Sequence, residues 1–92
     1  MLNVKDTLDA TIVSLKDQGV LPHTVILNLI HGTLLAGQLK SAGLHDGIPE
    51  HLSEYEGMSV HLDPSPAGQS IVIGRGPGAT GPVSQFLIRP TD

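Results

Sequence analysis

The chain has 92 residues, the size of one domain, so residues 1–92 are expected to fold as a single unit. Nine acidic and five basic residues give a net charge of −4, and the basic residues form no run, which argues against binding nucleic acid or an acidic membrane surface. Cysteine is absent, which excludes disulfides and thiolate chemistry. Residues 1–9 contain no apolar run and no segment is long enough to span a membrane, so we expect no signal peptide and a cytoplasmic location.

The core must be aliphatic, because Tyr55 and Phe86 are the only aromatic residues. A chain of this size buries roughly 60–65% of the surface that its unfolded form exposes, so the core is thin. Self-association would bury further leucine, isoleucine and valine surface. The composition therefore favours a homo-oligomer.

The first predicted element is an amphipathic helix that begins after Asn3 and stops at Gly19. Its apolar residues recur at helical spacing: Leu2, Val4, Leu8, Ile12 and Leu15. Residues 24–31 follow and are rich in β-branched side chains, which predicts a buried strand. Asn28 interrupts that strand, and we expect its amide to bond a nearby backbone group or to face outward. The alternative is a polar contact across an interface, where a buried amide fixes the register.

Residues 33–41 can be interpreted in two ways. We favour the second arm of a hairpin, bent at Gly37. The alternative is a helix that begins at Thr33 and closes at Gly43, with Leu35 and Leu39 one turn apart.

The second half of the chain predicts a short helix over 49–56 and then three strands. The helix would have Pro49 at its first position and Gly57 beyond its end. The strands are expected at 58–62, 71–73 and 83–89. Together the elements predict an α+β fold, with the N-terminal helix packed on a small, strongly curved antiparallel sheet or partial barrel of about five strands.

A glycine-rich segment follows the strand at 71–73 and includes Gly74, Arg75, Gly76 and Gly78. Residues 76–81 match the spacing G-x-G-x-x-G, but a dinucleotide site needs a helix after that pattern, and here Pro82 and a β-type run follow. We therefore predict a hairpin loop, in which Arg75 could hold an anion weakly.

Five histidines are present, and three of them lie near carboxylates in the middle of the chain: His45, His51 and His61. Imidazole and carboxylate together suit zinc or another divalent ion, which makes these residues candidate metal ligands. No H-E-x-x-H spacing is present, and a solvated loop of titrating histidines is the other interpretation. No serine lies in a G-x-S-x-G elbow, so we expect neither an enzyme nor a resident cofactor.

The run from Val25 to Leu39 has the form of a strand, a glycine and a second strand with a glycine kink. It resembles the opening hairpin of Sm-like proteins, which implies a bent five-stranded barrel. The segment Gly32–Leu39, followed by Tyr55, is also similar to the hairpin and short helix of the gas-vesicle accessory protein U family. That second resemblance implies a non-enzymatic assembly factor.

The function that these observations favour is a non-enzymatic interaction or accessory module. It would self-associate and bind protein partners through exposed strand edges or an aliphatic face. The candidate core or interface residues are Leu27, Leu29, Leu35, Leu39, Val60 and Ile88. An Sm-like nucleic-acid-binding ring and a histidine-dependent metal-binding protein are the alternatives.

Overall fold

The computed structural model describes residues 2–65, 68–78 and 80–91. In chain order these residues form helix α1 (Val4–Asp17), strand β1 (Leu21–Asn28), helix α2 (Leu29–Ser41), a 3-10 turn (Pro49–His51) and strands β2 (Glu54–Tyr55), β3 (Met58–Asp63), β4 (Ile71–Arg75) and β5 (Val83–Leu87). The fold is α+β, as the sequence predicts.

Helix α1 has the limits that the sequence indicates. The side chain of Asn3 accepts a hydrogen bond from the backbone N–H of Asp6 at 3.1 Å, which caps the first turn. Gly19 follows the helix with a φ of 80°, in the left-handed region that favours glycine. One face of the helix is buried, formed by Val4, Leu8, Ile12 and Leu15.

The favoured hairpin at 33–41 is wrong, because these residues belong to α2. The helix starts earlier than the alternative proposed: the side chain of Asn28 accepts from the backbone N–H of His31 at 2.7 Å, so Asn28, not Thr33, is its N-cap. Gly43 closes the helix as predicted, since it follows the C-cap residue Ala42 with a φ of 74°. Gly32 is where α2 crosses closely over β3, since a side chain there would collide with Leu62.

The five strands form one open sheet in the order β2-β3-β1-β4-β5. Three neighbouring pairs are antiparallel, but β1 and β3 are parallel, with Val25 opposite Val60. The sheet is therefore mixed and is not closed into a barrel. The reason is α2, because a helix between two neighbouring strands returns the chain to the same end of the sheet.

The helix predicted over 49–56 is also wrong beyond its first turn. Only Pro49–His51 is helical, as a 3-10 turn, and Glu54–Tyr55 pairs with β3 as β2. Glu56 and Gly57 join these strands with φ values of 51° and 80°, which is the conformation of a tight two-residue hairpin turn. The predicted strands at 58–62, 71–73 and 83–89 are confirmed as β3, β4 and β5, the last ending at Leu87.

Both helices pack on one face of the sheet, where they form a single core with strand residues such as Val25, Val60 and Val72. Five of the six candidate core or interface residues are buried: Leu27, Leu35, Leu39, Val60 and Ile88. Leu29 is 42% exposed, because it is the first residue of α2. Among the described residues, no helix combines the length and the apolar character that crossing a membrane requires.

Candidate interaction surface

The two edges of the sheet differ in length and in charge. At one edge lies β2, which has two residues and carries Glu54. At the other edge lies β5, Val83–Leu87, whose five residues are all uncharged. Short edges and charged edge residues are the usual protection against pairing with another chain. Of the edges that the described residues form, β5 is the one that lacks this protection.

The hydrogen bonds at the two ends of β5 show which backbone groups face away from the sheet. The N–H of Ile88 donates to the carbonyl of Ser70 at 2.9 Å, and the N–H of Gly76 donates to the carbonyl of Pro82 at 3.0 Å. Because bonding to one neighbour alternates along an antiparallel strand, residues 84, 86 and 88 are directed at β4. The N–H and C=O groups of Val83, Gln85 and Leu87 therefore point outward.

The side chains of the same three residues lie on the sheet face opposite the helices. Leu87 is opposite Ile71 and Gln85 is opposite Ile73 in the β4–β5 register, while Ile71 is opposite Ile26 of β1. Val83 is 49% exposed and Leu87 is 44% exposed. This open face therefore carries an apolar row that ends at the free edge of β5.

On the helix side, a groove of about 460 Å³ separates α1 from β5 and the residues after it. Phe86 lies in this groove and packs partly against the core, since it pairs with Val72. The α1 wall consists of small or uncharged polar side chains together with one leucine: Thr7, Ala10, Thr11, Ser14, Leu15 and Gln18. Arg89 and Thr91 line the groove beyond the end of β5.

The two arginines of the chain lie near opposite ends of β5. Arg75 is opposite Val83 in the strand register, and its guanidinium donates to the carbonyl of Gly81 at 3.0 Å. Arg89 follows Leu87 by two residues and is exposed. Neither β4 nor β5 contains an acidic residue. Residues 71–75 and 83–91 therefore carry two positive charges and no negative one.

The glycine-rich segment forms the loop between β4 and β5, as predicted. Gly74 and Arg75 end β4, and Gly78 has a φ of 77°. The N–H of Gly78 donates to the carbonyl of Gly19 at 3.1 Å, and a side chain at Gly76 would come within 2.6 Å of the Val20 Cα atom. The loop thus packs against the turn that follows α1, and residue 79 lies outside the described residues.

A second polar site joins β1, α2 and the start of β4. The buried hydroxyl of Ser70 accepts from the backbone N–H of Asn28 at 3.0 Å and lies 2.6 Å from Nδ1 of His31. The amide of Asn28 donates to the carbonyl of Gly68 at 2.9 Å, which confirms a backbone bond for this residue. Burial lowers the pKa of His31, which favours the neutral ring.

The Ser70–His31 pair has the spacing of a nucleophile and its base, but Ser70 is only 2% exposed. Its oxygen already accepts a hydrogen bond from Asn28 and lies in hydrogen-bond contact with the ring of His31. A nucleophile must reach a substrate, so this geometry serves to connect three elements. Sequence reasoning singled out Asn28 but missed Ser70 and His31, because their contact spans 39 positions of the chain.

The candidate metal ligands do not converge. His51 and His45 both contact Asp46, with Nδ1–carboxylate distances of 2.6 Å and 3.3 Å. The hydrogen bond to Asp46 raises the pKa of His51 and lowers that of the carboxylate. His61 lies on β3, opposite Ile26, away from this pair in the register. Within the described ranges, no three histidine or acidic side chains are grouped so that they could hold a metal ion.

A third polar contact joins α1 to β2. The hydroxyl of Tyr55 donates a hydrogen bond to the carboxylate of Asp9, which also contacts Nζ of Lys5 at 3.0 Å. Burial and the neighbouring carboxylate raise the pKa of Tyr55 above its ordinary value of 10.0. This cluster links α1 to β2 through polar side chains.

Comparisons with protein-family models, with curated proteins and with solved structures found no match to the chain. The segment from Val25 to Leu39, which carries both resemblances as a predicted hairpin, is instead a strand followed by a helix.

Proposed function

We propose that this protein is a non-enzymatic interaction module that binds extended protein segments by adding them as a further strand to β5. The outward backbone groups of Val83, Gln85 and Leu87 carry the proposal. They form a row of donors and acceptors on a strand without charged residues. Main-chain hydrogen bonds of this kind supply affinity, and side-chain pockets beside the strand supply selectivity.

Strand addition is supported on both sides of the edge. On the open face, an added strand extends the apolar row of Ile71 and Leu87. On the helix side, it lies over the groove that contains Phe86.

The same edge accommodates the self-association that the composition favours. Two copies of β5 pair antiparallel about a two-fold axis when Gln85 lies opposite its counterpart, which places Val83 opposite Leu87. All of these residues have outward backbone groups, so each opposite pair exchanges two hydrogen bonds. Such an isologous contact needs no second surface on the protein.

The test is Gln85→Pro, compared with Gln85→Ala. Proline removes the outward N–H of residue 85 without removing a hydrogen bond to β4, whereas alanine keeps that N–H and shortens an exposed side chain. We expect light scattering over a range of concentrations to show mass above the monomer for the wild type and Gln85→Ala. Gln85→Pro should remain a monomer, with circular dichroism confirming that it is folded. If Gln85→Pro associated to the same mass above the monomer as the wild type, the role of β5 would be contradicted.

A further inference from the structure

The preferred occupant of the β5 edge follows from the charges around it. We infer that this edge and its groove bind an extended, acidic segment of another protein, with alternating apolar residues and a carboxylate at each end. The inference rests on the proposed strand addition and specifies the partner of the same surface.

The side chains of an added strand alternate between the two faces of the sheet. Those directed at the helices enter the groove between α1 and β5, where they meet the ring of Phe86 and the hydroxyls of Thr11 and Ser14. The groove volume of about 460 Å³ accommodates such side chains next to the strand. Those directed at the open face continue the apolar row through Leu87 and Ile71.

Two cations flank the site, and the strand between them is neutral. Arg89 lines the groove beyond one end of β5, and Arg75 lies beside Val83 at the other end. A guanidinium presents paired donors that match a carboxylate, which makes arginine suited to recognising acidic peptides. Arg89 is exposed and lines the groove, so its guanidinium is within reach of a ligand bound there.

A second copy fits the edge less well than an acidic segment. When Gln85 lies opposite its counterpart, the antiparallel register places Arg89 of one copy opposite Gly81 of the other. The carbonyl of that glycine already holds Arg75, so self-pairing brings two guanidinium groups together. Like charges on paired strands repel each other and destabilise the pairing, whereas the carboxylates of an acidic segment attract both arginines. Self-association is therefore the weaker use of the same edge.

The inference is tested with three fluorescein-labelled peptides that share the sequence Val-Thr-Val-Thr-Val and end in glutamate, glutamine or lysine on both sides. Anisotropy titrations should give the tightest binding for the glutamate peptide, weaker binding for glutamine and the weakest for lysine. Arg89→Gln should weaken the glutamate peptide roughly two- to fivefold and reduce its advantage over the glutamine peptide. Lys40→Gln, which removes the same charge from α2, should leave both unchanged.

The outcomes separate the inference from the proposed function. If the three peptides bind equally well and Gln85→Pro abolishes all binding, strand addition stands and the acidic preference is refuted. If no peptide binds while the wild type forms a dimer that Gln85→Pro disrupts, the occupant is a second copy and the inference is also refuted. If the glutamate peptide binds equally well to Gln85→Pro, both are refuted.

Discussion

Replacing Ser70 with alanine removes a hydroxyl that serves two neighbours at once. The backbone N–H of Asn28 loses its acceptor, and Nδ1 of His31 loses its hydrogen-bond partner. Asn28 and Ser70 are both buried, so water does not readily replace the lost bonds. An unsatisfied buried group costs about 1–3 kcal/mol, and we expect Ser70→Ala to lower the free energy of unfolding by that amount.

The measurement is urea unfolding followed by far-UV circular dichroism, because the chain has no tryptophan. In a thermal scan the same loss should lower Tm by roughly 4–8 °C for each kcal/mol. Ser59→Ala is the matched control, since Ser59 is exposed on β3 and its replacement should stay within about 0.5 kcal/mol. Equal stability of Ser70→Ala and the control would show that the junction of β1, α2 and β4 does not depend on this hydroxyl.

The same junction predicts a pH dependence with a definite sign. Burial lowers the pKa of His31 in the folded state, so this group contributes stability above its unfolded pKa of about 6.5 and loses it as the pH falls below that value. His51 has a raised pKa, so its contribution is present at low pH and is lost as the pH rises. His31→Gln should therefore lose less stability than wild type between about pH 7.5 and about pH 5, and His51→Gln should not. Parallel losses in wild type and His31→Gln would refute this reasoning.

Two further predictions concern the core and the α1–β2 contact. Leu35→Ala should lower the free energy of unfolding in urea by about 2–5 kcal/mol, because this side chain is fully buried. Leu29→Ala should lower it by well under half as much, because Leu29 is 42% exposed. Equal losses would contradict the assignment of residues 29–41 to a helix. The phenol of Tyr55 should ionise above pH 10 in an ultraviolet titration of the folded protein, and a midpoint at the ordinary pKa of 10.0 would contradict its contact with Asp9. Tyr55→Phe should lower the free energy of unfolding by about 0.5–1.5 kcal/mol, because Asp9 loses one hydrogen-bond donor.

Sequence analysis correctly predicts the elements whose signals lie within their own residues and the residues beside them. Helix α1 combines an apolar stripe with a capping residue at Asn3 and a terminating glycine at Gly19, so three independent signals agree. Strands β3, β4 and β5 are short apolar or alternating runs bounded by glycine or proline. Each of these signals is local, and packing with the rest of the chain reinforces it.

The sequence of α2 predicts a strand wrongly because its pattern of apolar residues does not distinguish a helix from a strand. Apolar residues surround much of its circumference, as Leu29 and Ile30 are exposed while Leu35 and Leu39 are buried. A segment without a clear apolar stripe shows no helical periodicity, so its pattern does not indicate a helix. The deciding feature is Asn28, whose amide ends β1 and caps α2 through contacts with His31 and Gly68. One of those partners lies 40 positions away, beyond the reach of a local pattern.

The error at α2 also explains why the interaction surface could be predicted only in part. Exposed strand edges follow from the composition, but which edge is free depends on the strand order. A hairpin at 24–41 would have paired β1 with the next residues of the chain, whereas α2 releases that side of β1 to β3. β4 then occupies the other side of β1, and β5 becomes the outermost strand. The groove requires α1 to lie beside that strand, so the position of the proposed binding surface follows from the topology. The sequence of β5 makes this edge neutral, and Arg75 and Arg89 lie near its two ends.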